Sequence, residues 1–310
     1  PSDQLWQTVD LSVAAPDGAA ASGQGQVLMP PPSARVVVIS DIDDTVVLTG
    51  VANKLTMLWR LFAEGAQSRV AFPGVAAFYQ ALYRGRTGAE QNPLLYVSRG
   101  PWSIYEVLET FFQHHGIPVG PVVVLRDWGL TPQHPLPRRA PDYKLAVIRE
   151  MVARYPALPV VLIGDSGQHD PEIYTQIVRE QPGRVRAIYI RNVSRAPHRA
   201  QAIATLAAEV AAAGSTLLLA ADTFAMAEHA AAHGWIGPEA LAAVLRERVI
   251  QQGAAELQPT QVVQAPTEAA GVASAVVTAV VTAETDTETP PNVVIEPPTA
   301  TPRSTDADHP

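Results

Sequence analysis

An α/β fold, a parallel sheet sandwiched by helices, is predicted for this chain by three observations. Apolar runs of strand length alternate with helix-period segments from about residue 35 to about 235. The runs are apolar throughout, as strands buried on both faces are. Carboxylates gather at the ends of two of them, where open α/β sheets keep their ligands.

The first strand is expected over 35–40, where Val36, Val37, Val38 and Ile39 are all β-branched. Leu94, Leu95, Tyr96 and Val97 place a second at 94–98, and further strands are expected at 121–125, 159–164, 186–190 and 215–221. Helices are expected at 53–64, 74–84, 102–115, 142–154, 170–180, 199–213 and 223–233. In 102–115, Pro101 or Ser103 can start the helix, Ile104, Leu108, Phe111 and Phe112 form one apolar stripe, and Gly116 stops it. Such alternation means βαβ units with right-handed crossovers.

The flanks read differently. Leu5, Gln7, Val9 and Leu11 alternate with other residues, a Gly/Ala/Ser stretch follows, and Val27, Leu28 and Met29 precede three prolines. This reads as two β-type pieces joined by a glycine-rich turn, the last hairpin of an upstream sheet. Residues 1–30 are therefore expected to be the remnant of an upstream β-rich segment, and 31–250 the domain that holds the parallel sheet. After Trp235 there is no aromatic residue. Residues 238–252 fit one more helix, but from Gly253 the text is Ala, Thr, Val, Pro and Glu with eight prolines. It cannot bury enough apolar surface to offset its ordering entropy, so 251–310 is expected to be a disordered tail.

The chemistry concentrates at the strand ends. Asp41, Asp43 and Asp44 crowd into four positions after the first strand. Clustered carboxylates repel and raise one another's pKa unless a cation sits among them, and a hard ion with oxygen ligands, Mg²⁺ above all, suits that place. Asp165 ends the 159–164 run and is expected to bind the ion directly; Asp170 follows five residues later. Asp170 either joins the ion or caps helix 170–180, for which Pro171 is well placed at N1. Ser98 closes the second strand, where its hydroxyl either donates to a bound anion or caps the next helix. Lys144, one of two lysines in the chain, falls in the first turn of helix 142–154, where the helix dipole disfavours a cation. It is either a solvated surface lysine or the neutraliser of negative charge gathered at the strand ends. Thr45 is expected to bond locally, and Asp44 to cap or support the loop. The eight histidines, His169 included, show no metal spacing.

Acid pair, hydroxyl, lysine, acid pair is the order in which the chain resembles the haloacid-dehalogenase-type phosphotransferases. Ser40 to Val46, Phe72-Pro73-Gly74-Val75, Tyr96 to Tyr105, Leu125 to Gly129 and Gly164 to Tyr174 resemble one branch of them, the App1-type phosphatidate phosphatase catalytic domain, over roughly 33–240. The resemblance implies a Rossmann-like, haloacid-dehalogenase-like sheet, with Asp41 as the nucleophile that forms an aspartyl-phosphate and Asp43 as general acid/base. It also implies Ser98 and Lys144 as catalytic partners, and a Mg²⁺ site of Asp41, Asp43 (through its backbone carbonyl), Asp165 and Asp170. Arg99 departs from the small or polar residue expected after Ser98.

Spacing limits the lid. The 52 residues between Thr45 and Ser98 and the 45 between Ser98 and Lys144 already hold helices and a strand, so no full cap domain fits. An open mouth suits a bulky or membrane-borne phosphoester. A helix face of Leu55, Leu58, Trp59 and Phe62 lies in the first insertion, as core or as a membrane-dipping surface. The expected activity is Mg²⁺-dependent hydrolysis of a phosphomonoester, with phosphatidate or another lipid phosphate as the substrate the resemblance suggests; a soluble phosphoester is the alternative.

Composition excludes other classes. A net charge of −8 leaves no basic stripe for a nucleic acid. The absence of cysteine removes disulfides and thiolate metal sites. No apolar stretch reaches the roughly 18 residues that span a bilayer, and no basic segment followed by an apolar one opens the chain. The expected location is the cytoplasm, free or peripheral to a membrane. A receiver domain would need its acid pair ahead of a separate acceptor aspartate in a shorter chain, which the spacing does not fit. A non-catalytic scaffold on the same fold would be free to lose Asp41 or Asp43, and both are present.

Overall fold

Strand β3, Val37–Asp41, is buried along its whole length because neighbouring strands pair with both of its edges and helices cover both of its faces. The computed structural model describes residues 4–14, 20–46, 71–98, 100, 102–124, 140–256 and 293–295. After β3 come α1 (Val75–Arg84), β4 (Leu94–Ser98), a 3₁₀ turn (Trp102–Ile104), α2 (Tyr105–His115), β5 (Val122–Val124) and α3 (Ala140–Arg154). Then follow β6 (Val160–Asp165), α4 (Asp170–Glu180), β7 (Val185–Arg191), α5 (Pro197–Ala212), β8 (Thr216–Ala220), α6 (Thr223–Ala232) and α7 (Glu239–Glu256). The expected helix 53–64 and its apolar face, including Leu55 and Trp59, lie outside the described residues.

The sheet runs β5-β4-β3-β6-β7-β8 with every pair parallel, the α/β arrangement that the apolar runs predict. Because side chains alternate faces along a strand, each strand feeds two cores. Val38, Tyr96, Ile163 and Tyr189 enter the layer with α1, α2, α6 and α7, whereas Ile39, Val97, Leu162 and Ile190 enter the layer with α3, α4 and α5. The apolar stripe of α2 is buried as expected, and Gly116 ends that helix at φ 66°, a conformation open to glycine.

Strand order reverses beside β3: the chain moves outward through β4 to β5, then returns to β6 on the other side. The C-terminal ends of β3, β4 and β6 therefore meet at a switch point, the crevice where such sheets bind ligands.

Two differences from the sequence reading concern the flanks. The expected N-terminal hairpin pairs β1 (Trp6–Ala14) with β2 (Ala20–Leu28), but β2 takes in residues 20–26 of the Gly/Ala/Ser stretch expected to form the turn; residues 15–19 lie outside the described residues. Full backbone pairing outweighs low strand propensity there, and Gly25 leaves room for Leu11, which a Cβ would meet at 3.0 Å. Within the stretch expected to be structureless, β9 (Val293–Ile295) adds an antiparallel edge to β8.

Candidate active site

β3 delivers Asp41 as its last residue, and the following turn is built from the core outward. Ile42 and Val46 are buried, and the amides of Thr45 and Val46 donate to the Ile42 carbonyl at 3.3 and 3.0 Å. This turn carries Asp43 over the sheet end and puts Asp44 at φ 55°, which aspartate tolerates better than most residues. Beneath it, the Ser40 hydroxyl donates to the Asp41 carbonyl at 2.7 Å and lies 2.6 Å from the Tyr79 hydroxyl.

The Lys144 ammonium donates to Asp41 Oδ1 at 2.7 Å and to Asp170 Oδ1 at 2.5 Å, and all three side chains are buried. Helix α3 begins two residues earlier than expected, so Lys144 stands in its second turn, clear of the most positive end of the dipole. Of the two readings of this lysine, the surface one is excluded by its burial.

The loop after β6 turns back on itself. Asp170 Oδ2 accepts the Asp165 amide at 3.2 Å, and a Cβ at Gly164 would stand 2.3 Å from that oxygen, so only glycine fits the approach. Asp170 thus faces the cluster and does not cap α4, whose N-cap position is His169 with no side-chain cap bond. Asp165 Oδ1 accepts the amides of Gly167 and Gln168 at 2.7 and 3.0 Å, whereas Asp165 Oδ2 is buried with no hydrogen-bond partner.

Oxygens of Asp41, Asp165 and Asp170 lie within 4.8 Å of one another. A buried, unpartnered carboxylate oxygen is costly, and hard oxygen donors at this spacing fit a divalent cation, which would remove that cost. Asp43, the fourth expected ligand, is not in this trio by its side chain; its backbone carbonyl accepts from Gln168 Nε2 at 3.3 Å. Ser98, one position beyond the Asp41↔Val97 pair, is buried, and its Oγ accepts the Gly100 amide at 3.1 Å, leaving its O–H free to donate. Thr45 is buried with its hydroxyl unpartnered, so the expected local bond is absent.

The electrostatics match a site waiting for positive charge. Burial pushes Asp41 well above the ordinary carboxylate range; Lys144 opposes this, and Asp170, Asp43 and Asp165 add to it. Burial, then Asp170, raises Asp165 from 3.8 to about 7. Burial alone would discharge Lys144, but Asp170 and Asp41 outweigh it and hold the ammonium charged.

A pH dependence follows. Between about pH 4 and 7 the folded, cation-free protein holds a proton on Asp165 that the unfolded chain has released. Stability from this group is therefore full below pH 4 and declines as pH rises through 7. A divalent cation needs the ionised form, so Mg²⁺ should raise the thermal midpoint more at pH 8 than at pH 5. Equal shifts in a scanning-calorimetry series would contradict the assignment.

Three residues escaped the sequence reading. Gln168 Nε2 approaches Asp41 Oδ2 at 3.4 Å as well as the Asp43 carbonyl. Arg191, at the end of β7, donates through Nε to the Thr45 carbonyl at 3.1 Å and through Nη2 to Thr223 Oγ1 at 3.0 Å. Its guanidinium also stands 4.0 Å over the Phe72 ring, and so ties the turn after Asp43 to the sheet. Arg199 grips the loop that carries Asp165. A neutral amide and two of the chain's many arginines carry no spacing signal; only the place of Arg199 at a helix start could have singled it out.

Comparison with known proteins fits this geometry. The family described as "Phosphatidate phosphatase APP1, catalytic domain" matches residues 36–192, from the strand before Asp41 to the end of β7. The chain is 30% identical over 154 residues to the protein named Phosphatidate phosphatase APP1 of Saccharomyces cerevisiae, covering 49% of this chain and 25% of that protein. It is 27% identical over 161 residues to an uncharacterized protein of Schizosaccharomyces pombe, covering 51% of this chain and 25% of that one. The chain thus spans about a quarter of the length of the curated relatives it matches. All the clustered carboxylates, with Ser98 and Lys144, fall inside the matched segment, and the chain belongs to the phosphatidate phosphatase APP1 catalytic-domain family.

Proposed function

We propose that this chain is a Mg²⁺-dependent phosphomonoester hydrolase that works through an aspartyl-phosphate on Asp41, within a catalytic unit of about residues 31–250. The observation that carries this reading is the buried Asp41, paired with Lys144 beside an unpartnered Asp165 oxygen. Asp41, Asp165 and Asp170, with the Asp43 carbonyl, would hold the ion, which supplies charge neutralisation for the phosphate when bound.

The residues then divide the work. Lys144 neutralises Asp41 Oδ1, and Asp41 Oδ2 attacks phosphorus as the bond to the leaving oxygen breaks. Asp43 protonates that oxygen, then takes a proton from the water that cleaves the acyl phosphate and regenerates Asp41. Ser98 donates its free O–H to a phosphate oxygen, a contact that fixes the group in line with Asp41.

For substrate, a lipid phosphate such as phosphatidate is the reading we favour, on two grounds. The matched yeast protein carries that name. Trp102, four residues past Ser98, is 61% exposed and stacks on Tyr105 at 5.1 Å, which leaves a large apolar surface close in sequence to the phosphate donor. Such a substrate would be met at a membrane surface, and no helix among the described residues is long and apolar enough to cross a membrane.

Purified protein should release phosphate from an aryl phosphate with Mg²⁺ and stop with EDTA. Phosphatidate in mixed micelles should show kcat/KM at least about tenfold above glycerol phosphate, since burying one large apolar side chain contributes roughly 1.5–3 kcal/mol. Trp102→Ala should erase most of that preference and spare the soluble substrate. Equal rates on both substrates would favour a soluble phosphoester; no turnover with Mg²⁺ would remove the hydrolase reading.

A further inference from the structure

We propose that Arg199 is a positioning residue of the cation site, one that holds the loop after β6 so that Asp165 presents Oδ2 to the cluster. The inference rests on reading that cluster as a cation site.

Arg199 is the third residue of α5, which starts at Pro197 with no side-chain cap bond. A cation in the first turn opposes the helix dipole, so something else must hold it there. Its fork meets four acceptors. Nε donates to the Ser166 carbonyl at 2.8 Å, and Nη2 to the Gln168 carbonyl at 2.6 Å and to Glu172 Oε2 at 3.0 Å. Nη1 donates to Glu172 Oε1. Only a planar guanidinium reaches so many acceptors at fixed angles.

These contacts reach Asp165 through the backbone. The Ser166 carbonyl and the Gly167 N–H belong to one planar peptide and point in opposite directions. When Arg199 fixes the carbonyl outward, the amide is fixed inward, where it donates to Asp165 Oδ1 at 2.7 Å. The Gln168 amide makes the second bond to the same oxygen at 3.0 Å. With Oδ1 doubly occupied, the carboxylate cannot rotate freely, and Oδ2 is the atom left without a partner. The far side of the loop is closed by Ser166 Oγ, which accepts the amides of Val193 and Ser194 at 2.9 Å each. Arg199 also sets the backbone from which Gln168 reaches Asp41 and Asp43.

Three measurements on the full chain test this. Mn²⁺ binding by calorimetry should weaken about tenfold in Arg199→Ala, the usual scale for losing a group that orients a ligand. It should weaken less in Arg199→Lys, whose ammonium cannot span the same acceptors, and least in Glu172→Gln. In cation-free protein, hydrogen exchange of a peptide covering 165–170 should be faster in Arg199→Ala, and kcat at saturating cation should stay within about threefold of wild type. If Arg199→Ala fails to fold, the lysine and Glu172→Gln variants carry the same ordering. Wild-type protein that binds Mn²⁺ no better than the Arg199 variants, with unchanged exchange, overturns the inference alone. Wild-type protein that binds no Mn²⁺ at all overturns the cation site itself.

Discussion

Asp41→Asn is expected to lower phosphate release by at least about 10³-fold, equivalent to roughly 4 kcal/mol of transition-state stabilisation. The amide keeps the side-chain volume at a buried position and can still accept from Lys144, whose second partner Asp170 is unchanged. On the proposed mechanism, what disappears is the attacking oxygen and one charged cation ligand. The fold should survive, because removing one of several mutually repelling carboxylates relieves part of the cost that keeps Asp41 raised. A thermal midpoint within a few degrees of wild type, together with lost turnover, is the expected pair of results. Near-wild-type turnover would exclude Asp41 as the nucleophile.

Lys144→Met should act on stability as well as on rate. Replacing one member of a buried ionic cluster strands the others: Asp41 and Asp170 would keep their burial and lose the ammonium 2.7 and 2.5 Å away. Uncompensated charges of this kind cost about 3–5 kcal/mol, or on the order of 10 °C in the thermal midpoint of a domain this size. The loss should be larger at pH 8 than at pH 5, because burial already raises Asp41 well above the ordinary carboxylate range and lets it take up a proton at the lower pH. Adding Asp170→Asn to Lys144→Met should recover part of it, which separates a stranded charge from a packing defect. A midpoint that does not move in cation-free buffer would mean that Lys144 is not the counter-charge of this cluster.

The sheet was legible because each strand is apolar on both sides, and burial between two helical layers demands that. The positions of Asp41, Ser98 and Asp165 were legible for a related reason: each stands at the C-terminal end of such a run, Asp41 directly after Ser40, and in a parallel sheet all such ends arrive at one edge. Lys144 stood out by rarity and by an unfavourable helix position. The local contacts were not legible. Whether Asp170 caps a helix or faces a cluster depends on the Gly164 turn, and the burial of Lys144 depends on where α3 starts. Gln168 and Arg199 act through main-chain carbonyls or an amide hydrogen, which leave no mark in residue type. The glycine-rich first part of β2, residues 20–26, went unseen because propensity weighs single residues, whereas the pairing of nine positions with β1 is collective.

Acid-quenched protein taken during turnover with Mg²⁺ tests the account most directly, by locating the phosphoryl group on the chain with peptide mass analysis. A phosphoryl group on the peptide containing Asp41, lost on treatment with hydroxylamine and absent from Asp41→Asn, is the expected result. Steady turnover with no phosphoryl group on Asp41, or with one on another residue, would contradict it.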